Sequence, residues 1–132
     1  MGQMSERDKQ HYITRLLIEM PKHVGKSNKI GMGELYRAVF EKDFEHRIND
    51  TRRLRMLITD LRRQGMPICS TVSGEGAGYY IAAVGSEMNE YLQRLHARAL
   101  KILAMEARMR KITLPELLGQ MRIDIQAGGG HA

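Results

Sequence analysis

Apolar residues fall at Tyr12, Ile13, Leu16, Leu17 and Met20, the rhythm of one helical face, and predict a first helix from Ser5 to Met20. Ser5 can cap it, Glu6 and Asp8 load its first turn with the charge that the helix dipole favours, and Pro21 stops it. A polar connector holding Gly25, Gly31 and Gly33 follows, in which Ile30 can begin a very short strand. Leu35, Val39 and Phe40 mark a second helix from about Gly33 to Lys42, and Asp43 to Ile48 reads as the next connector. Leu54, Leu57, Ile58 and Leu61 recur at i, i+3, i+4 and i+7 and define a third helix, with Asn49 and Asp50 as candidate N-caps and Gly65 as the stop.

Beyond Gly65 the pattern changes period. Met66 to Val72 is a short β-prone run, Ser73 to Gly78 is a turn or flexible loop, and Tyr79 to Ala83 returns as a second strand, together a β-hairpin. A long helix is expected over Ser86 to Lys111, with acids at its start and Arg108, Arg110 and Lys111 at its end. Thr113-Leu114-Pro115-Glu116 is a capping box that opens a last short helix, to about Ile123. Residues 124–132, which include the glycine run 128–130, read as a disordered tail. The expected fold is mainly α with a small β-hairpin.

The third helix carries the most chemical information. Opposite its apolar stripe lie Asn49, Arg52, Met56, Thr59 and Arg63, with Arg53 and Arg55 flanking. Arg62 completes a run of arginines in which the acids are only Asp50 and Asp60, with no Lys or Glu. A face that is merely solvated usually mixes signs and long side chains. At 1.5 Å per residue the helix is about 24 Å long and of a width that enters the major groove of B-DNA. Arg52 and Asn49, near its N-terminus, have the chemistry to read guanine and adenine edges. Arg53, Arg55, Arg62 and Arg63 suit phosphates, which supply affinity rather than sequence choice. The alternative is that these arginines only solvate an exposed helix.

The order helix, helix, helix, hairpin, helix resembles a winged helix-turn-helix over residues 5–83. Leu57 to Ile68, then Gly78-Tyr79-Tyr80-Ile81, are similar to the end of the recognition helix and the wing of biotin-repressor-type domains. The whole chain also resembles small phage- or prophage-encoded proteins. The resemblance implies a DNA-binding protein, a transcriptional regulator or an accessory factor in phage DNA transactions. Winged helices also serve as protein-interaction modules without sequence-specific DNA binding, and that is the alternative function. The wing tip presents Glu75 where minor-groove wings present Arg or Lys, so a plain hairpin turn is an equal reading of Gly74 to Gly78.

Composition is compatible with this picture. The chain has 132 residues, 42% of them hydrophobic and 27% charged, and a formal net charge of +6. A pI near 9.7 is consistent with a polyanionic partner. Cys69 is the single cysteine, so no internal disulfide can form and a cytoplasmic setting is expected. No secretory leader follows Met1, and no apolar run is long enough to span a membrane.

Other signals fail. Val24-Gly25-Lys26-Ser27 resembles the end of a phosphate-binding loop, but Met20 stands where the earlier glycine is required. The glycines at 74, 76 and 78 lack dinucleotide-binding spacing. His11, His23, His46, His96 and His131 show no metal-ligand spacing, and Cys69 reads as an inert buried thiol. No catalytic constellation, metal or cofactor is expected.

Met88, Leu92, Leu95, Ala99, Ile102, Glu106 and Met109 alternate spacings of four and three, a heptad seam broken at Glu106. A homodimer through the 86–111 helix would bury that stripe. The alternative is that the helix folds back onto the first two, with the last helix covering the rest.

Overall fold

The computed structural model describes residues 4–71, 77–83 and 85–127. These form two compact units, one ending at Tyr91 and the other beginning at Leu92. The fold is mainly α with a small antiparallel hairpin, as the hydrophobic periods predict.

In the first unit, α1 spans Glu6–Glu19, and the Ser5 hydroxyl accepts from the Asp8 amide at 3.1 Å as its cap. A 3-10 turn at Met20–Lys22, carrying Pro21, ends it. A second such turn, Lys26–Asn28, precedes α2 at Met32–Phe40. The recognised apolar positions are the core: Ile13, Leu16 and Met20 from α1, Leu35 and Val39 from α2, and Leu54, Leu57, Ile58 and Leu61 from α3. Leu17 is the exception on α1 and is 43% exposed.

The third helix, α3, spans Arg47–Arg63. It begins ahead of Asn49 and Asp50, the caps that sequence composition favours. His46 is the N-cap instead, its Nδ1 accepting from the Asn49 amide, while the Asp50 carboxylate reaches back to the amides of Glu45 and His46 at 2.8 and 2.9 Å. At the other end Gly65 adopts φ +95°, and the amides of Gly65 and Met66 donate to the carbonyls of Arg62 and Leu61. That is a Schellman stop at the residue type that accepts it without strain.

Strand β1 (Ile68–Thr71) pairs with β2 (Gly78–Ile81) in the register Ile68 to Ile81 and Thr71 to Gly78. Ile30 adds a single rung to the far edge of β2, exchanging two backbone hydrogen bonds of 2.8 Å with Tyr79. A Cβ at Gly78 would lie 2.7 Å from the Ile30 carbonyl oxygen, so this rung requires glycine there. Residues 72–76, which include Gly74, Glu75 and Gly76 of the wing tip, lie outside the described residues.

Helix α4 spans Gly85–Arg110. Glu87 in its first turn accepts from the amides of Ala83 and Lys26 at 3.0 and 3.1 Å, and Tyr91 packs with Cys69 and Tyr80. The first unit therefore extends past residue 83, the boundary that the strand pattern gives, to Tyr91.

In the second unit α4 ends in another Schellman turn, with Lys111 at φ +61° and the amides of Lys111 and Ile112 donating to Arg108 and Ala107. The Thr113–Glu116 capping box is present, with reciprocal bonds of 3.2 and 3.1 Å. Helix α5 spans Leu114–Ala127, so residues 124–127, expected in the tail, are helical. Among the described residues no helix is long and apolar enough to cross a membrane.

Candidate functional site

The apolar stripe of α3 is fully engaged in the core, which fixes the opposite face outward. Asn49, Arg52, Arg55, Met56, Thr59 and Arg63 are all exposed there. The Arg63 side chain is 78% exposed. Two predicted site residues are placed differently. Arg53 is half-buried, its guanidinium 4.9 Å from the Phe40 ring centre and 5.6 Å from that of Tyr12. Arg62 is half-buried too: Nε donates to the Ile68 carbonyl at 2.7 Å, the guanidinium sits 5.2 Å over Tyr91, and Nη2 is buried without a hydrogen-bond partner among the described residues. Both arginines hold the domain together at these positions.

The acids of α3 oppose the positive charge of this face only at its end, where Asp60 lies 3.8 Å from Arg63. Asp50 is committed to the backbone at the start of the helix, and those amide bonds hold its carboxyl below the usual range. Asp60 is paired with Lys9 of α1 at 2.8 Å. What remains toward solvent is guanidinium, amide, hydroxyl and thioether.

Beside this face, between the start of α3, the start of α2 and the hairpin, lies a groove of about 670 Å³. Arg47, Ile48 and Arg55 line its α3 side, and Ser70, Thr71 and Tyr79 its hairpin side. Burial pushes the Tyr79 phenol up from its ordinary range, which keeps it neutral. The Thr51 hydroxyl at the floor donates to the Arg47 carbonyl and anchors that first turn. Arg47 and Ile48 belong to this surface although sequence reasoning leaves them in a connector. The available signal was the acid at position 50, close enough to cap a helix starting before it.

A larger groove, about 800 Å³, runs along α1 and the C-terminal part of α3. Its charges are mixed, Glu6 and Asp60 against Lys9 and Arg63, so it lacks the single-sign character of the first. His23 is used within the fold, with Nδ1 2.9 Å from the Asn28 carbonyl and Nε2 2.8 Å from Glu19. Among the described residues no three His, Cys, Asp or Glu side chains come together as a metal site.

The outer face thus presents arginine side chains of the kind that meet polyanions, with Arg47 and Arg55 lining the groove beside it. Asn49, Arg52, Met56 and Thr59 offer hydrogen-bonding and apolar contacts of the kind that distinguish base edges. No protein-family model, curated protein or solved structure matches the chain.

Proposed function

We propose that the protein binds double-stranded DNA as a two-fold dimer, laying α3 in the major groove, in the role of a transcriptional regulator or an accessory factor in DNA transactions. The carrying observation is the arginine excess on the outward face of α3: Arg52, Arg55 and Arg63 are exposed, while Asp50 caps the helix start and Asp60 is shared between Lys9 at 2.8 Å and Arg63 at 3.8 Å. A helix so mounted meets phosphates with its arginines and base edges with Asn49 and Arg52. Three helices followed by a hairpin, with Ile30 as an extra rung, support the winged helix-turn-helix reading.

Pairing is supported by the second unit. Leu92, Leu95, Ile102 and Met109 of α4 are all exposed, Met109 by 77%, whereas Ala107 and Leu117 are the buried apolar residues among those described there. One recognition helix reads only a few base pairs, and a second copy doubles the contacts. Selection of bound sequences from random duplex DNA tests the reading. The expected result is a palindromic motif, with Arg52→Ala relaxing choice at one base pair per half-site. Recovery of no enriched sequence, together with no retention of DNA on the protein, would overturn it and leave a protein-interaction module.

A further inference from the structure

Beyond Met88, which belongs to the first unit, the seam of α4 runs through Leu92, Leu95, Ala99, Ile102, Glu106 and Met109, alternating spacings of three and four. We propose that two copies pair along this seam antiparallel, with Leu92 opposite Met109, Leu95 opposite Glu106 and Ala99 opposite Ile102. The inference rests on the dimer proposed above and specifies its orientation and register.

Three features select this arrangement. The first is charge. In a parallel pair every seam residue faces its own copy, so Glu106 would meet Glu106 of the partner subunit in a partly desolvated seam, and like charges there are destabilising. Each Glu106 already pairs with Arg110 of its own helix at 2.8 Å, and 42% of its side chain stays exposed. Antiparallel pairing brings it level with Leu95 of the partner subunit, within about one helical turn of the partner's Arg98. The second is volume. A parallel pair stacks Ala99 on its copy directly beside a layer of paired Ile102, leaving a void next to a bulge. The antiparallel pair sets the small side chain against the large one on both sides of the two-fold axis, as close packing demands. The third is register. A shift by one heptad strips either Leu92 or Met109 of its apolar partner, and the proposed register keeps both.

The extent of the surface fits a second copy. Leu92 is 48%, Leu95 38%, Ile102 55% and Met109 77% exposed, and Leu118 of α5 is 39% exposed. Such a stripe offers several hundred Å² of apolar area, the scale of the roughly 800 Å² per partner in a standard interface. Antiparallel alignment also opposes the two helix dipoles favourably.

Disulfide trapping tests this in the full chain. Leu92→Cys and Met109→Cys replace exposed side chains, and the native Cys69 is fully buried and does not compete. In the antiparallel pair the two copies of residue 92 lie about 25 Å apart along the axis, far beyond the ~7 Å Cα separation a disulfide tolerates. Mixed under glutathione redox buffer, the two variants should give the 92–109 heterodisulfide, and neither variant alone should crosslink to itself. Homodisulfides from the single variants would overturn the orientation. No crosslink in a chain that sediments as a dimer would overturn the seam while leaving the dimer. A parent chain that sediments as a monomer at micromolar concentration would overturn the dimer itself.

Discussion

At the scale of single residues, helix periodicity says which way a Cβ points but not where a long side chain ends. Asn49, Arg52, Arg55, Met56, Thr59 and Arg63 lie outward as the 100° spacing requires. Arg53 and Arg62 flank the same face, yet their guanidinium groups turn back onto Phe40, Tyr12 and Tyr91, rings contributed by other elements. No local pattern encodes that. The consequence is measurable. Arg62→Ala leaves the Ile68 carbonyl without its donor and removes the contact to Tyr91, and should lower stability by about 2 kcal/mol in denaturant titration. Arg63→Ala, at an exposed site, should stay within about 0.5 kcal/mol of the parent. Equal losses would contradict the division between structural and surface arginines. Glu19 gives a pH-dependent counterpart. The hydrogen bond with His23, then the nearby charge of Lys22, hold its half-buried carboxyl below the ordinary range. A folded value below the unfolded one stabilises fully above the unfolded pKa, about 4.3, and the contribution fades as pH falls through the lowered value. Thermal melts of Glu19→Gln should therefore sit below the parent at neutral pH and converge with it at the acid end. A constant gap across pH 2 to 7 would remove Glu19 from the account.

At the scale of elements, what was legible followed the strength of the local signal. The capping oxygen of Ser5, the glycine stop at Gly65 and the Thr113–Glu116 box each act within one turn, and each stands where the sequence predicts. The start of α3 was less legible because His46 is an uncommon cap and the Asp50 carboxylate works from inside the helix. That shift draws Arg47 and Ile48 into the candidate surface. The end of α5 was misread because Ile123 and Ile125 are both exposed, by 66 and 67%, so no buried face marks the continuation. Ile30 was legible as a strand residue, but its partner Tyr79 is far along the chain and only the fold brings them together. The stop at Gly65 carries a direct test. Its φ of +95° disfavours any L side chain, although nothing lies within 4 Å of a Cβ there. Gly65→Ala should cost about 1–2 kcal/mol from backbone strain alone. A neutral result would mean that the α3 stop and the chain path into β1 are held by other contacts.

At the scale of the whole molecule, the first unit has a large buried core, although Leu17, Ile18, Val24, Ile48 and Met56 are exposed, whereas among the described residues of the second unit the buried apolar ones are Ala107 and Leu117. The heptad spacing on α4 was visible in sequence, and the exposure of Leu92, Leu95, Ile102 and Met109 is what gives it meaning. Leu95→Glu places charge in the seam without removing a core residue, because Leu95 is 38% exposed. Light scattering should report a monomer for this variant at a concentration where the parent is a dimer, with the melting temperature of the first unit unchanged. A folded dimer from Leu95→Glu would place the pairing surface elsewhere. The central claim is that the outward face of α3 binds DNA through its arginines. It is tested most directly by fluorescence anisotropy on duplex DNA across about 50 to 200 mM salt, with the parent beside Arg63→Ala. The account predicts that the parent binds at low salt, that log affinity falls linearly with log salt, and that Arg63→Ala lowers the magnitude of that slope by about one. Absence of binding at low salt, or an Arg63→Ala slope equal to that of the parent, would contradict it.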